Sequence, residues 1–145
     1  MVHVPYRGAA AALTDTISGQ VHLYYASMPS VVAHVRAGAV RALAVTSAKR
    51  SDALKDVPTI AESGFPGFDV NPWFGILAPA GTPAAVVKKI NADVNRMLTQ
   101  KDVVDRFTGQ GAVPFATTPE QFAKIAHADI VKWAKVVKES GATVD

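Results

Sequence analysis

An α/β fold, a parallel sheet flanked by helices, is what this sequence predicts, and three observations predict it. In the first third, short apolar or β-branched runs alternate with helical stretches in the order strand, helix, strand, helix, strand, the pattern of a parallel sheet. Of the 145 residues, 49% are hydrophobic and 19% charged, a balance that excludes disorder and can furnish a core. In the second half, Thr82-Pro83 and Thr118-Pro119-Glu120-Gln121 are written as helix starts.

Each element follows from its residues. Residues 2–5 read as the end of a strand. Residues 9–18 are Ala-rich, with Leu13 and Ile17 four apart on one face and Gly19 just beyond, hence a helix with a left-handed stop. Residues 21–26 are β-branched and aromatic, a strand. Residues 29–36 carry Pro in the first turn and Gly38 past the end, a second helix. Residues 41–46, Arg-Ala-Leu-Ala-Val-Thr, read as a buried strand. Residues 49–56 are a polar surface connection, residues 57–64 a short helix stopped by Gly64, and residues 65–72 a Gly- and Pro-rich crossover. Residues 73–78 are apolar and strand-like. The helix opened by Thr82-Pro83, with Thr82 as cap, runs to about Leu98 and presents Val87, Ile90, Val94 and Met97 on one face. Residues 102–108 form another, stopped by Gly109. The capping box at Thr118 and Gln121 starts the longest, near 119–139, which is expected to bury Phe122, Ala126, Ile130, Trp133 and Val137 before Ser140-Gly141 ends it.

Several function classes fall away on composition. A formal charge of +3 is too small, and the densest basic cluster, Arg36, Arg41, Lys49 and Arg50, too dispersed, for a nucleic-acid stripe. No apolar run reaches the ~18 to 20 residues a bilayer requires. With 0 Cys there is no disulfide scaffold, thiol nucleophile or Cys-based zinc site. His3, His22, His34 and His127 have no spacing that sets two on one helical face, and no metal is expected. There is no nucleophile elbow, no phosphate loop and no dinucleotide fingerprint, so no cofactor is expected either. Asp15 and Asp69 have no acidic neighbour in sequence with which to share acid–base work. The opening residues Met1-Val2-His3-Val4-Pro5 lack the basic and apolar regions of a secretory signal. A catalytic role survives only as the convergence of Tyr6, Arg7 and His22 in one cleft.

One stretch carries physics of its own. Val4-Pro5-Tyr6-Arg7-Gly8-Ala9-Ala10-Ala11 leads a strand into a helix whose first amides have no intrahelical acceptor and sit at the positive end of the macrodipole. Gly8 and the alanines let a ligand approach the backbone, so the turn suits a carboxylate or other anion. At the carboxyl end of a strand in a parallel sheet, that is where ligands bind. A plain strand-to-helix turn accounts for the same residues without a ligand. The loop Ala26-Ser27-Met28-Pro29-Ser30 follows the next strand and lines the same crevice in this reading.

At these residues the chain resembles the extracytoplasmic solute receptors of tripartite tricarboxylate transporters, the Bug or TctC-like family. His3-Val4-Pro5-Tyr6-Arg7-Gly8 is similar to the family's His-Val-Pro-Tyr-Lys-Gly. The likeness continues through Ala12-Leu13-Thr14-Asp15, Gly19-Gln20-Val21, the run from Arg41 to Ser51, and the run from Asp56 to Gly64. It extends over Trp73-Phe74-Gly75-Ile76-Leu77-Ala78-Pro79-Ala80-Gly81-Thr82-Pro83 and Trp133-Ala134-Lys135-Val136-Val137. The resemblance implies a periplasmic-binding-protein-like, two-lobe Venus-flytrap architecture, incomplete here because the chain looks like the C-terminal half alone. Residues 1–56 would belong to the second lobe, 57–72 to the crossover, and 73–145 to the C-terminal part of the first.

The same resemblance implies a non-enzymatic receptor for a small carboxylate, periplasmic, handing its ligand to transporter membrane subunits. The ligand-binding residues it implies are Tyr6, Arg7, Gly8, Ala9, Ala10, Ala26, Ser27, Trp73 and Phe74. Arg7 stands where the family has Lys, Ala9 and Ala10 lack hydroxyls frequent after that Gly, and Ala26-Ser27 replaces a common Asp-Asn. Two further expectations follow from half a clamp: weak ligand affinity, and pairing with another copy that covers the missing surfaces. The alternative is a small α/β interaction module that has lost its ligand site.

Overall fold

The computed structural model of the chain describes residues 2–142. Among the described residues there are five α-helices: α1 (Ala9–Ile17), α2 (Met28–Arg36), α3 (Ala84–Met97), α4 (Lys101–Gly109) and α5 (Pro119–Ser140), with a 3-10 turn at Asp52–Leu54. All five fall where the sequence places helices, within a residue or two at each end, the usual uncertainty of helix boundaries. The chain divides into two compact units, residues 1–75 with 101–114, and residues 76–100 with 115–145.

In the first unit α1 packs on α2, and α4 lies against the 3-10 turn. Gly19 and Gly38 end α1 and α2 at φ +78° and +72°, the left-handed conformation that glycine adopts without strain. The buried residues are Ala12 and Leu13 on α1, Val32 on α2, and Val45 and Thr59. Each fully buried Leu or Val contributes about 1.5–3 kcal/mol of transfer free energy, so this small cluster is the apolar anchor of the unit. Polar staples supplement it. The Arg36 guanidinium donates to the Gly109 carbonyl at 3.1 Å and to the Ala53 carbonyl at 3.3 Å, binding the end of α2 to both α4 and the 3-10 turn.

Among the described residues the expected parallel sheet is not seen. Residues 2–5, 21–26, 41–46 and 73–78 form no ladder, and among the described residues the only β pairing is one isolated parallel bridge, Val45 to Thr59. It is closed by the Val45 amide on the Pro58 carbonyl at 2.9 Å and the Ile60 amide on the Val45 carbonyl at 3.0 Å. An extended run becomes a strand only when a neighbour presents a matching row of N–H and C=O groups. Here Val45 and Thr59 alone find one in ladder register.

The helix expected over residues 57–64 is likewise absent, replaced by a tight turn. Thr59 is committed to the bridge, and Glu62 folds back to accept the Thr59 amide at 2.7 Å while the Thr59 hydroxyl accepts the Glu62 amide at 3.0 Å. This reciprocal cap has the chemistry of a helix start, but Gly64 at φ +108° ends it within a turn. Arg50 Nε donates to Glu62 Oε2 at 2.9 Å. The Thr59 amide first, and Arg50 second, hold the Glu62 carboxyl below its ordinary value of 4.5. A carboxylate with a depressed folded-state pKa contributes stability in full above its unfolded pKa and loses it as pH falls through the folded value. Glu62→Gln is therefore expected to flatten the acid limb of the stability curve below that ordinary value. Urea midpoints compared between neutral and acidic buffer check this; an unchanged acid limb would contradict it.

In the second unit α3 packs on α5. The Thr118 hydroxyl accepts the Gln121 amide at 3.2 Å and Gln121 Oε1 accepts the Thr118 amide at 2.9 Å, the capping box the sequence predicts. Gly141 closes α5 at φ +66°. Thr82 departs from expectation. Its hydroxyl donates to the Pro79 carbonyl at 2.8 Å, closing a turn that needs Gly81 at φ +82°, and Pro83 takes the cap position of α3. The apolar stripe of α5 is not buried as expected. Ile130 is 67% exposed and Val137 49%, and no residue of this unit is buried among those described.

Candidate functional site

The turn into α1 is built from residues 6–11. Gly8 is the N-cap of α1, extended at φ 175°, and no side chain caps the helix there. The first intrahelical bond runs from the Ala12 amide to the Gly8 carbonyl at 3.5 Å. Gly8, Ala9, Ala10 and Ala11 are all exposed, and no atom comes within 4 Å of a Cβ built at Gly8. The positive end of a 9-residue helix thus meets solvent through methyl groups and bare backbone, the requirement for anion contact by peptide N–H. No acidic residue occupies its first turn.

Tyr6 sits beside this turn, half-buried. Its phenol donates to Asp15 Oδ2 at 2.7 Å. That hydrogen bond, then loss of water, then the negative charge of Asp15 hold the Tyr6 hydroxyl above its ordinary value of 10.0, since ionising it would discard the bond and set two anions together. Arg7 is exposed.

The second sequence-predicted loop caps α2, a helix packed against α1. Ser27 is its N-cap, with Pro in the first turn. The Ser30 hydroxyl donates to the Ser27 carbonyl at 2.8 Å, and the Ser27 hydroxyl donates to Ser30 Oγ at 3.2 Å, so the hydroxyls serve the turn itself. Ala26 and Ser27 are half-buried. Trp73 is half-buried and Phe74 is 79% exposed; both lie at the far end of the first unit's long segment, which ends at residue 75. Residues 6–10 are thus contiguous at one helix start, and Ala26 and Ser27 are at the start of a helix packed on it. His22, held open for catalysis in the sequence reading, is exposed.

Asp15 is the participant that residue spacing alone passed over. It lies seven residues after Gly8, two helical turns along the same face, and that register is the signal that could have found it. Among the described residues there is no group of acidic or histidine side chains fit to hold a metal, and no helix long and apolar enough to cross a membrane.

Comparison with known proteins places the chain in a family. The model of the tripartite tricarboxylate transporter family receptor matches residues 1–142. BugT of Bordetella pertussis is 41% identical over 139 residues, covering 96% of this chain and 43% of BugT. A Rhodopseudomonas palustris protein solved with adipate superposes at a TM-score of 0.90 with 38% identity, covering 95% of this chain and 46% of that one. MatC from Rhodopseudomonas palustris, solved with bound malate, superposes at 0.80 with 38% identity, covering 92% and 47%. The chain spans less than half the length of each of these three.

Proposed function

Because the chain belongs to the tripartite tricarboxylate transporter family of receptors, we propose that it forms part of an extracytoplasmic solute receptor that takes a small dicarboxylate. One ligand carboxylate sits on the bare amides at the start of α1. The observation that carries this reading is the uncapped, solvent-facing N-terminus at Gly8, Ala9 and Ala10, present in a chain whose similar structures were solved with adipate and malate. Both are small organic diacids, the chemistry a helix start of this kind accepts.

In this reading Tyr6 and Arg7 border the carboxylate, Ala26 and Ser27 contribute the neighbouring loop, and Trp73 with Phe74 supplies apolar contact to the ligand's carbon chain. The receptor works in the periplasm and delivers to the transporter's membrane subunits. Large exposed apolar side chains, including Phe74 at 79% and Leu77 at 79%, support self-association as a further property. They equally favour a second reading, an interaction module without ligand.

Titrating adipate, malate and a tricarboxylate against the fluorescence of Trp73 and Trp133, with calorimetry alongside, tests the proposal. A saturable response to diacids, absent for a diamine of equal length, is expected. Its affinity should be modest, because a site walled on one side loses preorganisation. No response to any carboxylate would overturn the receptor reading and leave the module.

A further inference from the structure

We propose that Asp15 is a positioning residue for the carboxylate-binding turn, holding residues 6–8 in place through Tyr6; this rests on the receptor reading above. For residues 2–8, the bond from the Tyr6 phenol to Asp15 Oδ2 at 2.7 Å is the one side-chain hydrogen bond among the described residues. The Gly8 carbonyl in addition accepts the Ala12 amide, at 3.5 Å. Arg7 and Gly8 are exposed, and Gly8 has open space on its side-chain side, so neither packing nor a capping side chain fixes the direction in which its peptide points.

Asp15 suits the task because it is anchored independently. It lies within α1, and its carbonyl accepts the amides of Gln20 at 2.8 Å and Val21 at 3.2 Å, so the same residue also fastens the exit from the helix. A carboxylate acceptor makes the phenolic bond shorter and stronger than a neutral one would. The bond therefore ties the chain that leads into α1 to the helix body about two turns further on. A ligand that needs several amides aligned at once is weakened when one of them wanders.

A second account has Asp15 acting by charge alone, as a negative group that opposes anion binding. The two accounts predict opposite signs. If Asp15 positions the turn, Tyr6→Phe and Asp15→Ala each weaken adipate binding about tenfold, and the double variant is no weaker than either single one, the coupling expected of partners in one bond. Asp15→Asn, which keeps an oxygen acceptor, restores most of the affinity. If charge alone matters, Asp15→Asn and Asp15→Ala strengthen binding and Tyr6→Phe is silent; that result would overturn the proposal.

A ligand-free readout separates this inference from the receptor reading. In amide spectra of the full chain without ligand, the Gly8 and Ala9 signals are expected to shift and broaden in Tyr6→Phe and Asp15→Ala but not in Asp15→Asn, with helix content unchanged. Unmoved Gly8 and Ala9 signals in both would refute the positioning role even if adipate binds. Shifted signals with no adipate response in the parent chain would instead sink the receptor reading and leave the clamp standing.

Discussion

Ala9→Asp is expected to abolish or severely weaken diacid binding while leaving the chain at least as stable as its parent. Ala9 is the first residue of α1 and is exposed, so the new side chain meets no steric barrier. Its carboxylate would lie over the amides proposed to receive the ligand. Two like charges ~4 Å apart repel by about 1 kcal/mol in bulk water and about 4 kcal/mol at a protein surface, which corresponds to a loss of about fivefold to a thousandfold. The helix gains, since a negative charge in the first turn complements the macrodipole by about 0.3–1 kcal/mol. Opposite signs for binding and stability distinguish loss of a site from loss of a fold. Ala9→Asn, uncharged and of the same shape, serves as the control and should retain binding. Calorimetric titration with adipate beside thermal unfolding checks the pair; an Ala9→Asp chain that binds like its parent would remove α1 from the site.

The second large effect concerns association. The parent chain is expected to sediment as an oligomer whose population rises with concentration, and Ile130→Lys with Val137→Lys to shift it toward monomer. On α5 the residues at 126, 130, 133 and 137 recur at helical spacing, and Ile130, Trp133 and Val137 are exposed at 67%, 38% and 49%. Phe74, Ile76 and Leu77 are exposed at 79%, 70% and 79%, and exposed apolar side chains of this size favour contact with another chain. Lysine at 130 and 137 keeps helix propensity high while charging the stripe, so circular dichroism should show α5 intact. Sedimentation across a dilution series decides: a parent chain that stays monomeric at every concentration would refute the expectation.

Helices were legible because their signals are local. Thr118 and Gln121 close their box with no help from elsewhere, and Gly19, Gly38 and Gly141 stop their helices by backbone conformation alone. Strands were not, because a strand is a relation between two segments. The runs at 21–26 and 41–46 carry strand-like residues but say nothing of whether a partner stands alongside; among the described residues only Val45 finds one, at Thr59. The run from 57 to 64, read as a short helix, misled for a related reason. Its capping chemistry is real, but the bridge claims Thr59 and Gly64 cuts the turn short. The apolar stripe of α5 was read rightly as a stripe and wrongly as buried, since periodicity gives a face and not what covers it. At the candidate site, the bare helix start follows from Gly8 and three alanines, whereas the Tyr6 to Asp15 bond required the fold.

The polar joint between α3 and the start of α5 has a consequence of its own. Asn91 and Asn95 both donate to the Thr117 carbonyl, at 2.8 and 3.0 Å, and Asn95 also reaches Asn91 Oδ1 at 3.2 Å. Both lone pairs of that one oxygen are occupied from successive turns of the same helix, so α3 cannot roll about its axis without breaking the pair together. Grease tolerates sliding, because one methyl replaces another with little change; a forked amide grip has a single correct rotation. That half of the molecule is thus aligned by direction rather than by bulk.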